Sequence, residues 1–254
     1  MHPILLKIGP VTVFSYGAMF ALGFTISFFL IYWRAGQFNI DKDRITNLAF
    51  LTLAGGIAGA RILFILMNMR YYGHHPLEMF DLSKGGLIWY GGFLGGLSAF
   101  IWYTLRHRLG FWLVADISAP YLALTQAFGR IGCFLNGCCY GRPVPPDFPF
   151  GVIMPGFSIP IHPTQIYSSL ALVLTFVILR LWQDAKRFDG EIFLGYCMLY
   201  PAQRFFVEFL RGDNRRFLFN LTFSQDMSII LFLAAGGVFS YRALRWKRNL
   251  SGLK

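Results

Sequence analysis

The sequence predicts an all-α integral membrane protein with seven transmembrane helices, the N-terminus on the outer (periplasmic) side and the C-terminus in the cytoplasm. Three observations predict it. Of the 254 residues, 56% are hydrophobic and only 14% are charged, where soluble domains usually carry about 25% charged residues. Apolar runs of about 20 residues, the length that crosses a bilayer as a helix, recur along the chain. Lys and Arg fall unequally between alternate connections, which sets the orientation of such a chain.

The candidate spans are residues 14–33, 45–69, 85–105, 112–136, 164–183, 190–211 and 223–241, and residues 1–254 read as one polytopic membrane domain. The first span follows "MHPILLKIGPVTVF", which lacks a basic stretch and a small-residue cleavage site, so no cleavable signal peptide is expected. The second and third contain "GGIAGA" and "YGGFLGG", small residues that let helices approach closely or leave a gap for a lipid chain. The fourth carries Asp116 and Arg130, the sixth Arg204 and Glu208, and the seventh Asp226. Asp116 and Asp226 each read as a helix cap or a member of a satisfied pair. Between the fourth and fifth spans, residues 137–163 hold seven of the chain's twelve prolines, which excludes a regular helix and predicts a rigid, irregular outer cover. No internal repeat marks the inverted halves of a transporter.

One set of connections and the tail hold thirteen basic residues: Arg34, Lys42, Arg44, Arg106, Arg108, Arg180, Lys186, Arg187, Arg242, Arg245, Lys247, Arg248 and Lys254. The other side holds seven: Lys7, Arg70, Lys84, Arg142, Arg211, Arg215 and Arg216. The richer side is cytoplasmic by the positive-inside rule. The net charge of +11 is thereby explained by orientation and anionic lipid, and a nucleic-acid partner is excluded.

Arg61, Arg130 and Arg204 remain, all inside spans. An arginine at mid-bilayer costs at least a few kcal/mol, so each requires a partner or a ligand. At about 1.5 Å rise per residue, all three sit roughly 9–12 Å from the outer ends of their spans. Either they form three separate structural pairs, Arg204 with Glu208 four residues on, or they share a pocket in the outer leaflet. Arginine's planar fork suits phosphate, and the phosphate of an outer leaflet is a phospholipid headgroup.

The stretch "GRIGCFLNGCCYGRP" at residues 129–143 resembles the signature of prolipoprotein diacylglyceryl transferases, a G-R-[IL]-G-x-F-x-N-G core followed by a G-R pair. "GARILF" around Arg61, "YGGFLGG" after Trp89, "HPTQIY" from His162 and "RFFVEFLRGDN" from Arg204 follow in the family's order. The resemblance implies an enzyme of the bacterial inner membrane, multi-pass, with its active site facing the periplasmic leaflet. It implies transfer of the diacylglyceryl group of phosphatidylglycerol to the thiol of a lipobox cysteine in the signal-peptide segment of a preprolipoprotein. A thioether forms and glycerol phosphate leaves, with no metal and no cofactor. The rival expectations are a related transferase with a different lipid-transfer substrate, and a non-catalytic lipid-binding or transport protein.

The resemblance also implies roles. Arg130 and Arg204 stabilise headgroup and leaving group, where negative charge grows. Glu208 orients Arg204, and Arg61 supports the polar pocket. Asn136, Gly137 and Gly141 shape the backbone around the headgroup, and Tyr16 touches the lipid. Four positions depart from the family pattern: Tyr90 stands where His often precedes the paired glycines, Cys133 and Cys138 where Asn and Glu often stand, and Ser168 where Glu ends the H-P-x-Q-x-Y-E motif. Tyr90, with an ordinary pKa near 10, is a weak general base, and His162 is either an alternative acceptor or a turn residue. Cys133, Cys138 and Cys139 lie near an oxidising face. Their C-x4-C-C spacing matches no common metal motif. A disulfide, buried free thiols or a catalytic cysteine all remain open, and Cys197 reads as packing.

Overall fold

A computed structural model describes residues 1–9, 11–38, 40–81, 85–212 and 220–251. Lys84, Arg215, Arg216 and Lys254 of the charge comparison, and Asp213 and Asn214 of the late motif, lie outside the described residues. The helices are α1 (Ser15–Ala35), α2 (Lys42–Met67), a single turn α3 (Met69–Tyr72), α4 (Trp89–Arg106), α5 (Phe111–Asn136), α6 (Thr164–Gln183), α7 (Glu191–Glu208) and α8 (Phe223–Ser251). Four are long and apolar enough to cross a membrane: α1, continued to Phe38, with α2, α6 and α8. The chain is therefore a mostly helical membrane protein.

The all-α expectation needs one correction. Residues Ile4–Ile8 (β1) and Val11–Phe14 (β2) form an antiparallel hairpin. Apolar and β-branched residues on either side of Gly9 and Pro10 favour strands joined by a tight turn, so the approach to the first span is extended. Backbone bonds from His2 to Leu135 O (3.1 Å) and from Ser15 to Pro3 O (2.9 Å) tie the hairpin to the end of α5 and the start of α1.

The chain divides into two compact units, Tyr32–Val114 and the combination of Met1–Ile31 with Ala115–Lys254. In the first, α2 and α4 approach backbone to backbone. A Cβ added at Gly55 would meet Ala99 Cβ at 2.8 Å and Gly95 O at 3.0 Å, and one at Gly59 or Gly91 would collide with the other's carbonyl oxygen. Two glycines four apart on each helix thus make a close seam, the packing use of "GGIAGA" and "GGFLGG".

In the second unit the interior is small and polar rather than oily. Ala119, Ala123 and Ala127 of α5 pack against Leu172 and Leu179 of α6 and Ile192 of α7. Hydrogen bonds cross the helices from Ser27 Oγ to Tyr121 O (3.0 Å), Ser169 Oγ to Ala127 O (3.0 Å) and Tyr196 OH to Gln126 Oε1 (3.0 Å). In hydrocarbon such bonds contribute about 0.6 kcal/mol each on average, while Leu170, Leu174, Leu181 and Leu233 face outward. Pro120 lacks the N–H that would bond Asp116 O. Gln183 Nε2 donates to that carbonyl instead, at 2.9 Å.

Asp116 is both a cap and a pair. Its carboxylate accepts from the backbone N–H groups of Gly190 (2.7 Å), Ile192 (3.0 Å) and Phe193 (2.9 Å), and faces Lys186 Nζ at 3.4 Å. A carboxylate at a helix N-terminus satisfies orphan donors and the helix dipole together.

The 137–163 connection contains no helix, as its prolines require. It is tied by bridges between Pro143 and Ile161 and between Val152 and Ile161, and its own Val144, Met154 and Ile161 are buried.

Candidate active site

The site is built where α5 ends. Gly137, at φ +77°, terminates the helix. Its N–H donates to Phe134 O (3.1 Å), and the Cys138 N–H donates to Cys133 O (3.2 Å). This pair of bonds is a Schellman closure, which needs a left-handed residue and favours glycine. Cys139 also has a positive φ, 63°, uncommon for a side-chain-bearing residue. The reversal is clamped from α6: Thr164 Oγ1 donates to Cys139 O (2.9 Å), and Gln165 Nε2, almost fully buried, donates to Cys138 O (2.6 Å).

Gly141 lies where three segments meet. Its N–H donates to His162 O (3.0 Å), it bridges Arg211, and the neighbouring Arg142 N–H donates to Leu210 O (2.8 Å). A Cβ there would stand 2.6 Å from His162 O and 2.8 Å from Leu210 O, so only glycine fits. His162 is held in this junction: its backbone serves Gly141 and Arg142, its ring meets Phe148 edge-on, and Nδ1 is 3.4 Å from Tyr167 OH. That geometry suits the turn reading of His162. Ser168 Oγ returns to Thr164 O at 2.8 Å.

Arg130 and Arg204, from α5 and α7, lie within electrostatic range of one another. Arg204 Nη2 pairs with Glu208 at 2.8 Å and donates to Ser224 Oγ at 3.1 Å, whereas its buried Nη1 has no hydrogen-bond partner among the described residues. Glu208 is 2% exposed. It also accepts from Thr222 Oγ1 (2.8 Å) and lies 3.9 Å from Arg211 Nε. One carboxylate thus serves two arginines. Arg130 is half-buried and makes no ion pair or hydrogen bond with the described residues. Among the described residues, Arg130 and Arg204 thus bring two guanidinium groups close together with donors to spare, the electrostatics that suit an anion.

Tyr16 lines the same region. α1 crosses α5 at Gly132, where a Cβ would meet Tyr16 Cα at 3.1 Å, and the phenol interacts electrostatically with Arg130 and the three cysteines. The Cys138 thiol points back to Cys133 O at 3.7 Å. Sγ atoms of Cys133, Cys138 and Cys139 all lie within 4.8 Å of one another as free thiols. The Cys139 thiol is held below the ordinary thiol range, first by hydrogen bonds with Cys133 and Cys138, then by the charges of Arg211 and Arg130, while burial acts the other way.

Arg61 and Tyr90 belong to the Tyr32–Val114 unit. Arg61 donates to Met79 O (2.9 Å), Glu78 O (2.7 Å), Asp81 O (2.8 Å), Gly85 O (2.7 Å) and Gly86 O (3.3 Å), and its guanidinium sits over Phe64 and Tyr72. All five of its N–H donors are engaged, so Arg61 staples a turn. Tyr90 is exposed and stacks edge-on with Trp89.

Comparison with known proteins decides the family. The profile described as "Prolipoprotein diacylglyceryl transferase" matches residues 3–241. The chain belongs to this family. A phosphatidylglycerol–prolipoprotein diacylglyceryl transferase from Clostridium tetani is 35% identical over 255 residues, 98% of this chain and 100% of its own length. Proteins of the same name from Bordetella parapertussis (33%; 96% of each chain) and Bacillus licheniformis (32%; 96% of this chain and 94% of the relative) are also similar. Among diacylglyceryl transferase candidates for anion binding, sequence reasoning missed Arg211, counted only as an outer-loop charge, and the supports Ser224, Thr222 and Gln165. Arg211 lies three residues after Glu208, a spacing that brings side chains onto one helical face and was the available signal.

Proposed function

We propose that this chain transfers the diacylglyceryl group of phosphatidylglycerol to the thiol of a lipobox cysteine in preprolipoproteins. The sulfur bonds to a glycerol carbon, the carbon–oxygen bond to phosphate breaks, and glycerol phosphate leaves with the electron pair. The observation that carries this reading is the pair of arginines with donors open among the described residues, Arg130 and Arg204, within electrostatic range of one another. Negative charge grows on the departing phosphate ester, so fixed cations act most strongly in the transition state.

In this reading Arg130 and Arg204 grip the phosphate, and Glu208 fixes the Arg204 plane through its 2.8 Å pair. Gly137, Gly141 and Asn136 hold the backbone that carries the site, and Tyr16 contacts lipid. Arg61, expected to support the polar pocket, spends its donors on a turn of its own unit and is assigned no contact with the phosphate. Tyr90 stands at the family's histidine position and offers an exposed hydroxyl. The arginine field favours the substrate thiolate, which lessens the need for a strong base. The seven long helices are seven spans, with the N-terminus periplasmic and the C-terminus cytoplasmic. The site then opens to the periplasmic leaflet of a bacterial inner membrane, where phosphatidylglycerol and the lipobox segment meet.

The test is complementation of cells depleted of their own diacylglyceryl transferase. Growth and the lipobox mobility shift are expected on expression of this chain. Correct membrane insertion with neither effect would overturn the proposal.

A further inference from the structure

We propose that Cys133, Cys138 and Cys139 form a three-thiolate site for a soft monovalent metal ion, Cu(I). Their spacing in sequence does not announce it. The Schellman turn at Gly137 brings residue 138 back over Cys133, and the left-handed Cys139 turns a third sulfur toward the same point. Thr164 and Gln165 lock the two carbonyls, so the ligand loop is held before any ion arrives.

Distances favour coordination over a bond between neighbours. A metal–sulfur bond of about 2.3 Å in a trigonal plane places the sulfurs about 4 Å apart. The three Sγ atoms are mutually within 4.8 Å, a small rotamer adjustment away. A Cys138–Cys139 disulfide would instead need adjacent Cα atoms, about 3.8 Å apart, to adopt a geometry that usually requires 4.4–6.8 Å.

The ligand set selects the ion. Among the described residues no His, Asp or Glu joins the three sulfurs. Structural zinc sites take four protein ligands, whereas soft thiolates favour Cu(I). Binding releases whatever protons the three sulfurs still hold as all become thiolates, and three thiolates with one Cu(I) carry a charge of −2. Arg130 and Arg211 stand within electrostatic range of Cys139 and offset that charge. An occupied site therefore draws on the field of Arg130, the same residue that faces the lipid phosphate in the proposed function.

The experiment uses the full chain, reduced and purified anaerobically in detergent, titrated with Cu(I) against the chelator bathocuproine disulfonate. One Cu(I) per chain is expected, with a thiolate-to-metal charge-transfer band and X-ray absorption showing three sulfur neighbours. Cys133→Ser, Cys138→Ser and Cys139→Ser should each weaken binding at least tenfold, while Cys197→Ser, a lone thiol on α7, should not. Circular dichroism of each variant verifies that the helices are retained, and binding is read without any transfer assay. Failure to compete with the chelator, equal binding by the triple serine variant, or tighter uptake of Zn(II) than of Cu(I) would overturn the site. So would a disulfide between any two of these cysteines in protein isolated without oxidant.

Discussion

Arg130 and Arg204 should be separable by one experiment, because the fold treats them differently. Arg130 has no partner among the described residues, so Arg130→Gln strands no buried charge; stability should change by no more than about 1 kcal/mol. Arg204 is paired at 2.8 Å with Glu208, which is 2% exposed. Arg204→Gln leaves that carboxylate with Arg211 at 3.9 Å and Thr222. Removing one partner of a buried pair costs about 3–5 kcal/mol; the remaining contacts place this case near the lower end. Both variants should lose about 10²–10³-fold in transfer, the usual effect of deleting one preorganised charge donor. The double variant Arg204→Gln/Glu208→Gln should regain part of the stability, since the carboxylate is no longer stranded while Arg211 loses its 3.9 Å neighbour, and none of the rate. Transfer is measured from phosphatidylglycerol micelles to a lipobox peptide, and stability by thermal unfolding in detergent at one scan rate. If Arg130→Gln keeps transfer within threefold of the parent, or unfolds as readily as Arg204→Gln, then donor availability does not mark the phosphate grip.

Gly95→Leu forces a side chain into the α2–α4 seam, where even a Cβ collides with Gly55 O; overpacking should cost about 1–3 kcal/mol or more. Gly237→Ala, with nothing within 4 Å, should leave the unfolding temperature unchanged. Asp116→Ala strands the three N–H groups that it caps and should cost about 2 kcal/mol, read by thermal unfolding; Asp116→Asn, which keeps one acceptor, should cost less. The Cys139 thiol is held below the ordinary range, so its thiolate should persist as pH falls, and mass-mapped alkylation at Cys139 should drop less than threefold from pH 8.5 to 6.5. A free thiol of pKa near 8.5 drops about fiftyfold over that interval, and an equal drop at Cys139 would show that neither its thiol neighbours nor the arginine charges lower it.

How far the sequence revealed the fold depends on whether the deciding force is local. The α6 limits, Thr164–Gln183, match the expected span, because prolines end the preceding connection and the apolar run stops at Gln183. The end of α5 is equally local: Gly137 follows Asn136 and supplies the left-handed residue. The hairpin was obscured because its strands are as apolar as the span they precede, so hydropathy hid a period of two. The Arg204–Glu208 pair was legible from its four-residue spacing. The clamp of Gln165 on Cys138 O and the meeting of Gly141 with Leu210 were not, since long-range backbone partners leave no mark on composition or periodicity.

The three arginines that the sequence places inside spans show why depth alone is a weak guide to function. From the sequence they looked alike: one charge each, at similar distances from span ends. Their donors distinguish them. Arg61 spends all five N–H groups on carbonyls of residues 78–86. Arg204 is held by Glu208 and Ser224 with Nη1 left over. Arg130 is uncommitted among the described residues. A buried donor without an acceptor is costly, and a fold tolerates it where a ligand or water completes it. Satisfaction of donors therefore ranks the three: Arg61 is structural, Arg204 is oriented by its neighbours, and Arg130 is the one that the proposed function assigns to the phosphate.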